Sequence, residues 1–483
     1  MKTFYWHDYE TFGADPSRDR PVQFAGIRTD EQLQPVGEPL EIFCRPTSDY
    51  LPHPEACLIT GITPQLALSR GLSEAQFIAR IHDQLAQPGT CGVGYNSIRF
   101  DDEVTRYTLY RNFYDPYARE WQAGNSRWDL IDVVRMCFAL RPEGIEWPLN
   151  DAGVVSFKLE RLTAANGIAH QGAHDALADV RATIALARLV RRCQPRLYDY
   201  ALTLRDKRAV DKLISLPQAR PLLHISSRYA ASAGCAALVL PLARHPSNSN
   251  GVVVVDLAGD PEPLLALDVA QLQRRVFTPA AELGEGETRI GLKLVHLNRS
   301  PMLVTPKVLD EAGYQRLGID PAGCVRHAER LQAALQAEPA LAQKLGAVFD
   351  TSPPVDSDPE TQLYAGFLPE ADRRLLPQLR SAEATQLAAF GPRFRDTRLA
   401  PLLFRYRARN YPDTLSEEER EAWRERCRNR LADPVHGLTQ HLALIDDKLA
   451  DSGLAADQRS VLAELRAYAL GVAAAYPALG TER

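Results

Sequence analysis

Five residues in the N-terminal part of the chain have side chains that could hold divalent metal ions and move a proton. Asp8 and Glu10 are two positions apart in a strand-like segment. Because side chains alternate across a strand, both carboxylates should leave the same face. Asp101 follows another apolar segment, and Asp179 comes five residues after His174 at the start of a predicted helix. The pattern is therefore strand, apolar segment and helix, followed by a histidine and an aspartate.

These residue types suit two Mg²⁺ ions, with Mn²⁺ as a possible substitute. Hard cations prefer carboxylate oxygen, and four carboxylates brought together without cations would repel one another. Two metals roughly 4 Å apart can activate a water and stabilise the leaving oxygen of a displacement at phosphorus. A neutral imidazole beside that water can accept its proton near pH 7, which makes His174 the candidate base.

Each residue alone also has an ordinary structural interpretation. Asp8 and Glu10 could belong to a solvated strand edge, and Asp101 and Asp179 could be carboxylates favoured in the first turn of a helix. His174 could be a hydrogen-bonding residue at a helix end. The order of the segments, rather than any single residue, favours a metal site.

Three further acids lie next to the candidate ligands, and we assign no catalytic role to them. Asp175 is expected to offset the N-terminal dipole of the helix that follows it. Asp102 is expected to face solvent or an arginine, and Glu103 is interpreted as a neighbour of the site only.

The three segments resemble the DEDD family of 3′→5′ exonucleases with a ribonuclease-H-like fold. Further stretches are similar to the bacterial exonuclease I family within it, and these similarities cover nearly the whole chain. They are HDYETFG at 7–13, ITGITP at 59–64, RFDDEVTR at 99–106, RNFYDPY at 111–117, His224 to Ser226, VDLAGD at 255–260 and LFRYRARN at 403–410.

The resemblance implies that Asp8, Glu10, Asp101 and Asp179 bind metal and that His174 is the general base. It implies an exodeoxyribonuclease that degrades single-stranded DNA to 5′-mononucleotides, acts in DNA repair and recombination, and contacts single-strand DNA-binding protein. Two alternatives remain at this point. The same chemistry could act on RNA or short oligonucleotides, or the chain could be a non-catalytic scaffold that binds single strands.

The composition is that of a globular chain with several domains. The chain has 483 residues, 45% hydrophobic and 24% charged, and a net charge of −5. Although nucleic-acid enzymes are usually basic, clustered arginines can form a positive groove on an acidic chain. Eight scattered cysteines, no signal peptide and no membrane-length apolar run favour a reducing bacterial cytoplasm, free thiols and no membrane contact. We expect a monomer.

Periodicity divides the chain into an α/β part, a β-rich part and a helical part. Strands are predicted at 22–29 and 40–45, and helices at 73–87, 101–114, 128–140, 157–166 and 175–192. Short β-rich runs are predicted at 222–228, 236–242, 251–257 and 290–297, followed by a helical region at 331–349. The resemblance implies that the β-rich part is a small barrel of the Src-homology-3-like type. The predicted domains are a ribonuclease-H-like exonuclease domain at 1–194, the β domain with flanking helices at 195–350, a linker at 351–360 and an all-α C-terminal domain at 361–483.

Single-stranded DNA is held by cations along its phosphates and by aromatic faces under its bases. Arg106, Tyr117 and Trp121 follow Asp101 closely and are the preferred candidates. Three more cations precede His174 and are also candidates: Arg135, Arg141 and Lys158. For any one of these residues, core packing or a surface ion pair is the structural alternative.

A second segment with alternating rings and guanidinium groups runs from Phe404 to Tyr411. It could form a wall of the DNA channel. Alternatively, it could be an amphipathic helix whose tyrosines pack inward.

Overall fold

A computed structural model describes residues 2–170, 172, 174–350 and 356–477. The described residues form two compact units. The first comprises residues 2–125, 172–181 except 173, and 356–477, and the second comprises residues 126–170 and 182–350. The second half of the chain therefore contributes to the same unit as the N-terminal strand. No helix among the described residues is long and apolar enough to cross a membrane.

The strands are β1 (Thr3–Thr11), β2 (Pro21–Thr29), β3 (Leu40–Phe43), β4 (Thr90–Gly94), β5 (Ser126–Asp129), β6 (Leu222–Ile225), β7 (Ala236–Arg244), β8 (Gly251–Asp256), β9 (Leu292–His296) and β10 (Met302–Val304). The helices before residue 350 are α1 (Pro54–Thr60), α2 (Pro64–Arg70), α3 (Glu74–Leu85), α4 (Asp101–Arg111), α5 (Leu130–Leu140), α6 (Leu159–Ala165), α7 (Ala176–Cys193), α8 (Pro195–Thr203), α9 (Lys207–Ile214), α10 (Glu262–Ala266), α11 (Val269–Phe277), α12 (Glu311–Leu317), α13 (Pro321–Ala337) and α14 (Ala340–Ala347). The helices after residue 355 are α15 (Glu370–Ser381), α16 (Leu399–Asn410), α17 (Glu417–Leu431), α18 (Leu438–Leu449) and α19 (Ala456–Ala475).

Strand β1 is the centre of the first unit. It pairs antiparallel with β2 and parallel with β4, and β3 pairs antiparallel with β2. Strands β2 and β3 overlap the two segments, 22–29 and 40–45, that were predicted as strands. Helix α4 packs onto β1 through an apolar cluster that includes Tyr5, Tyr9, Phe24, Val104 and Leu109. This packing brings the first residue of α4 to the strand that carries Asp8 and Glu10.

The second unit contains a five-stranded antiparallel sheet in the order β10-β6-β7-β8-β9. Four of these strands occupy the predicted β-rich runs. The fifth, β10, was not predicted, because three residues are too few to show an alternating pattern.

Two predicted helices need correction. The helix predicted to begin at Trp128 begins at Leu130, because Trp128 and Asp129 end strand β5 and Asp129 caps the helix through the backbone N–H of Ile131. The helical region predicted at 331–349 is two helices, of which α13 begins at Pro321 behind the capping residue Asp320. In both cases an aspartate at the N-cap marks the true start.

The segment from Phe404 to Tyr411 adopts the structural alternative. It lies in helix α16, where Tyr406 is 8% exposed and packs against Phe113 with ring centroids 5.4 Å apart. Arg407 is buried and donates to Glu419, and Arg409 donates to Asp49 at 2.6 Å. Its rings and cations therefore hold the first unit together.

A group of buried charges connects the N-terminal strands to the C-terminal helices within the first unit. Arg20 lies 2.7 Å from Glu360, Arg111 lies 3.0 Å from Glu74, and Arg409 also contacts Glu360. We call this group the buried ionic cluster; its members are Arg20, Asp49, Glu74, Arg111, Glu360 and Arg409.

Part of the predicted linker, 351–355, lies outside the described residues. The remaining part, 356–360, makes specific contacts: Arg18 donates to Asp356 at 2.6 Å, and Tyr110 donates to the carbonyl oxygen of Pro359 at 3.1 Å. The three domain boundaries given above stay predictions. All eight cysteines are free thiols, as predicted.

The buried ionic cluster should make the stability of the chain depend on acid pH. Burial alone would raise the pKa of Glu74, but Arg111 and Arg20 lower it to about 2. A carboxyl whose pKa is depressed by folding stabilises above its unfolded pKa, and that contribution is lost as the pH falls through the folded value. Replacing Glu74 by Gln should therefore lower the free energy of unfolding by about 3 kcal/mol near pH 7 and by much less near pH 2.

Urea denaturation of both proteins across this pH range measures the difference. Glu417→Gln is the matched control, because Glu417 is 73% exposed in its ion pairs and its loss should change stability by less than about 0.5 kcal/mol. A Glu74→Gln effect of equal size at both ends of the pH range would contradict the assignment.

Candidate active site

Strand β1 presents two of the candidate ligands. Asp8 and Glu10 are two residues apart within a regular strand, opposite Ala25 and Gln23 of β2. Glu10 is 9% exposed and Asp8 is half-buried. Because both residues are paired with β2, the backbone of β1 fixes the spacing of the two carboxylates.

The third carboxylate is attached directly to this strand. Asp101 is the first residue of α4 and is 3% exposed. Its Oδ1 accepts a hydrogen bond of 3.0 Å from the backbone N–H of Tyr9, the residue between Asp8 and Glu10. Tyr9 also accepts a hydrogen bond of 3.1 Å from Thr105, one turn further along α4. These two bonds hold the first turn of α4 against the centre of β1.

The remaining two residues lie at the start of α7. His174 is exposed and has a backbone φ of 68°, in the left-handed region that few residues other than glycine adopt. Asp179 lies in the first turn of the helix. The ligand atoms of Glu10, His174 and Asp179 all lie within 4.8 Å of one another, which is close enough for all three to contact one ion.

The acids of this site repel one another strongly. Burial is the main cause of a raised pKa for Asp8, and the charges of Asp101, Glu10 and Asp179 raise it further. Burial, followed by Asp179 and Asp101, raises the pKa of Glu10 to about 9. Carboxyl groups with raised pKa values keep some protons at neutral pH. A divalent cation can replace these protons and remove the repulsion between the carboxylates, so the group of acids is suited to binding one. The oxygen-rich donor set therefore fits a hard divalent metal.

The neighbouring acids have the structural roles expected of them. Asp175 caps α7, since its Oδ1 accepts from the backbone N–H of Ala178 at 3.0 Å. Asp102 is buried and pairs with Arg119 at 2.6 Å, which agrees with the arginine alternative.

The guanidinium of Arg106 is buried and bonded to other side chains, whereas a phosphate contact needs an accessible cation. It is 5% exposed, and its guanidinium donates to Glu120 at 2.7 Å and to Glu103 at 2.8 Å. It also donates to the hydroxyl of Tyr364 at 2.9 Å. We correct the expectation accordingly, because a guanidinium in these bonds organises its neighbours rather than offering its charge to DNA.

The other two preferred residues are both aromatic, and one of them, Tyr117, lies at a surface formed by several rings. Trp121 is 64% exposed, and half-buried Tyr117 lies below the Arg106 guanidinium at 5.4 Å. Two rings that the sequence analysis missed lie beside Tyr117: Tyr364, 52% exposed at 6.4 Å, and Phe367, 88% exposed at 6.1 Å. Both residues are more than 240 positions from Tyr117, so their spacing in the sequence could not predict the contact. The two aromatic residues in Leu-Tyr-Ala-Gly-Phe, just after the predicted linker, are the sequence feature that could have indicated an aromatic surface.

The three candidate cations of the second unit differ in exposure. Arg135 is 8% exposed and pairs with Asp132 at 2.6 Å. Arg141 donates to the carbonyl oxygens of Leu140 and Val308. The Lys158 side chain is 71% exposed. All three stay predictions as DNA contacts, and exposure favours Lys158.

Comparison with known proteins identifies the family. A family model described as an exonuclease matches residues 5–187, a model of the exonuclease I SH3-like domain matches 205–351, and a model of the exonuclease I C-terminal domain matches 357–472. Exodeoxyribonuclease I of Escherichia coli K12 is 48% identical over 93% of this chain and 94% of its own length. The chain belongs to the exodeoxyribonuclease I family.

Solved structures of the exodeoxyribonuclease I family agree in fold. Exonuclease I of Methylocaldum szegediense is 52% identical and covers 98% of this chain and 100% of its own, with a TM-score of 0.92. E. coli exonuclease I in complex with a dA16 oligonucleotide is 46% identical with the same coverage and a TM-score of 0.91. A zinc-bound form of the E. coli complex with single-stranded DNA gives 45% identity, 98% and 99% coverage, and a TM-score of 0.92.

These matches confirm the resemblance and the fold class. As a member of the exodeoxyribonuclease I family, the chain is a nuclease, with an exonuclease domain followed by an SH3-like domain and a helical C-terminal domain.

The acids of the site should make stability depend on divalent metal. A carboxyl whose pKa is raised by folding stabilises below its unfolded pKa, and this contribution is lost as the pH rises through the folded value. As the pH rises from about 4 to about 9, the contribution of Glu10 to the free energy of unfolding of the metal-free chain should therefore decrease. Adding Mn²⁺ should raise Tm, and by more at about pH 8.5 than at about pH 6, because protons compete with the metal.

Thermal melts with EDTA and with Mn²⁺ measure this effect. Asp179→Asn should remove most of the Mn²⁺-dependent rise. Asp151→Asn, which changes a carboxylate with 99% side-chain exposure, should keep it. A rise that persists unchanged in Asp179→Asn would place the metal elsewhere.

Proposed function

We propose that this chain digests single-stranded DNA from its 3′ end and releases 5′-mononucleotides in a metal-dependent reaction. The observation that carries the proposal is the convergence of Glu10, His174 and Asp179 ligand atoms within 4.8 Å, beside Asp8 and Asp101. Structures of the E. coli relative with dA16 and dT13 oligonucleotides support a single-stranded substrate. The polarity and the product follow from the resemblance described above.

Asp8, Glu10, Asp101 and Asp179 are the proposed ligands of two Mg²⁺ ions, for which Mn²⁺ can substitute. When bound, the ions would polarise the scissile phosphate and offset the charge that develops on it. The chain's own contribution is the fixed spacing of the carboxylates. Asp8 and Glu10 are held by the pairing of β1, and Asp101 is held by the Tyr9 backbone N–H.

His174 is proposed to accept the proton of the attacking water. The water oxygen bonds to the terminal phosphorus as the bond from that phosphorus to the 3′-oxygen of the preceding nucleotide breaks. That 3′-oxygen then takes a proton and becomes the new 3′-hydroxyl. Because His174 is exposed, its ring can return its proton to solvent between turnovers.

Exposed aromatic rings are proposed to hold the strand by stacking. Trp121, Tyr364 and Phe367 offer aromatic faces in the same unit as the five site residues. Any base can stack on such a face, so this grip would depend little on sequence. Paired bases are already stacked within a duplex, which should make a blunt duplex a poor substrate.

Digestion of end-labelled strands tests the function. A 3′ label should be released as a mononucleotide from the first turnover, a 5′ label should remain on a shortening strand, and EDTA should stop both reactions. Faster digestion of RNA of the same sequence would assign the activity to RNA. Binding of DNA without digestion in Mg²⁺ or Mn²⁺ would reduce the chain to a scaffold.

We further propose that the chain acts as a monomer in a bacterial cytoplasm, in repair and recombination, and contacts single-strand DNA-binding protein. The roles in repair and recombination and the contact with single-strand DNA-binding protein rest on the resemblance, and the reducing compartment is supported by the scattered cysteines.

The role of His174 predicts a specific kinetic effect. His174→Ala should lower kcat by roughly 10² to 10⁴-fold with little change in DNA affinity, because a base acts in the chemical step. Asp179→Ala should lower kcat by at least about 100-fold. Single-turnover rates and fluorescence anisotropy measure the two quantities. A parallel loss of rate and affinity in His174→Ala would make His174 a DNA contact or a structural residue.

Replacing an exposed aromatic ring should lower the affinity for single-stranded DNA. Phe367→Ala and Trp121→Ala should each weaken single-strand binding by about 1–3 kcal/mol, because each removes a stacking face. Phe367→Leu is the matched control for the ring, since it keeps apolar bulk without an aromatic face and should recover less than half of the loss. Affinity of Phe367→Ala equal to that of the wild type would exclude stacking on this residue.

A further inference from the structure

Gln23 is a buried amide next to the candidate active site and belongs to none of the motifs described above. It lies on β2, directly opposite Glu10 of β1, and is 1% exposed. Its side chain reaches the start of α7: Oε1 accepts from the backbone N–H of Ala176 at 3.3 Å, and Nε2 donates to Oδ2 of Asp175 at 3.1 Å. A third contact joins Nε2 to Glu41 at 3.2 Å.

Asp175 completes the connection from the sheet to the helix. One oxygen receives the Gln23 amide, and the other receives the backbone N–H of Ala178 at 3.0 Å. We call Gln23, Asp175 and the Ala176 N–H the Gln23 clamp. The clamp satisfies two of the backbone N–H groups that the first turn of a helix leaves without an intrahelical partner.

The clamp holds the part of α7 on which the site depends. His174 immediately precedes Asp175, and the backbone N–H of Asp179 donates to the carbonyl oxygen of Asp175 at 3.0 Å. A shift of Asp175 would therefore move both residues. Since Gln23 is paired with Glu10 across the two strands, the clamp fixes His174 and Asp179 relative to the Glu10 carboxylate.

Only a neutral side chain of this length that donates and accepts can make these contacts. A carboxylate at position 23 would accept from Ala176 but would place a further negative charge beside Asp175, Glu41 and Glu10. An apolar side chain would leave the Asp175 oxygen and the Ala176 N–H without this partner. Residues that orient ligands in this way commonly change metal affinity or activity 10–100-fold when they are replaced.

We propose that Gln23 is a positioning residue that sets His174 and Asp179 against Glu10 for metal binding and turnover. The inference deepens the function proposed above and rests on it, but metal binding tests it independently of digestion.

Calorimetric titration of Mn²⁺ into the full-length metal-free protein is the direct test, with steady-state kinetics beside it. Gln23→Met keeps the volume and removes the hydrogen bonds, and it should raise the Mn²⁺ dissociation constant about 10–100-fold. It should also lower kcat at limiting metal while the KM for single-stranded DNA stays within about twofold, and excess Mn²⁺ should restore part of kcat. A role in folding alone would lower Tm and leave the metal titration unchanged.

Glu41→Gln is the matched control, because it removes the carboxylate on the other side of the amide and leaves the Gln23 clamp intact. Its Mn²⁺ affinity should stay within about twofold of the wild type. If Gln23→Met does not fold, Gln23→Asn decides the question, since it keeps both amide functions but is one methylene too short.

Wild-type Mn²⁺ affinity and kcat in the folded Gln23 variant, or an equal loss in Glu41→Gln, would overturn the inference. Failure of the wild-type protein to digest single-stranded DNA would instead overturn the proposed function. The Mn²⁺ dissociation constants of the wild type and the Gln23 variants would still test the role of the Gln23 clamp.

Discussion

The repulsion among carboxylates around strand β1 is the constraint on which the active-site region depends. The spacing of Asp8 and Glu10 is fixed, because both residues are paired with β2 within one strand. Asp101 and Asp179 are brought to the same place by helices whose first turns are bonded to the sheet. Asp101 accepts from a neutral donor, the Tyr9 backbone N–H, and the neutral Gln23 amide holds Asp175 at the start of the helix that carries Asp179. Neutral donors orient the carboxylates without neutralising them, so the charge remains available to a cation.

The same unit holds a second set of buried carboxylates with the opposite behaviour. In the buried ionic cluster, arginines outweigh the effect of burial and hold the pKa values of Asp49, Glu74 and Glu360 below their usual range. At the active site, burial and neighbouring acids raise the pKa values of Asp8 and Glu10. The first set has its cations built into the chain, while the second fits cations that come from solution. Within one unit, buried carboxylates are thus paired with arginines in one group and left to repel one another in the other.

The sequence predicted the parts of the site that depend on local geometry. The two-residue spacing of Asp8 and Glu10 predicted a shared strand face, and the position of Asp101 at a helix start was confirmed. Residues whose role depends on distant partners could not be predicted. Arg106 has the charge expected of a DNA contact, but its buried guanidinium donates hydrogen bonds to Glu120 and to the hydroxyl of Tyr364. Phe367 reaches Tyr117 only through the fold of the C-terminal region, and Gln23 has no motif because its partners are a backbone N–H and a carboxylate about 150 residues away.

These four carboxylates are proposed to form a site for two metal ions. Anomalous X-ray scattering from crystals of the protein grown with Mn²⁺ tests it most directly, because it locates the ions without assuming an activity. We expect two peaks about 4 Å apart, each within ligand distance of one or more of the four carboxylates, Asp8, Glu10, Asp101 and Asp179. Crystals that show Mn²⁺ peaks only elsewhere on the chain, with none among these four carboxylates, would contradict it.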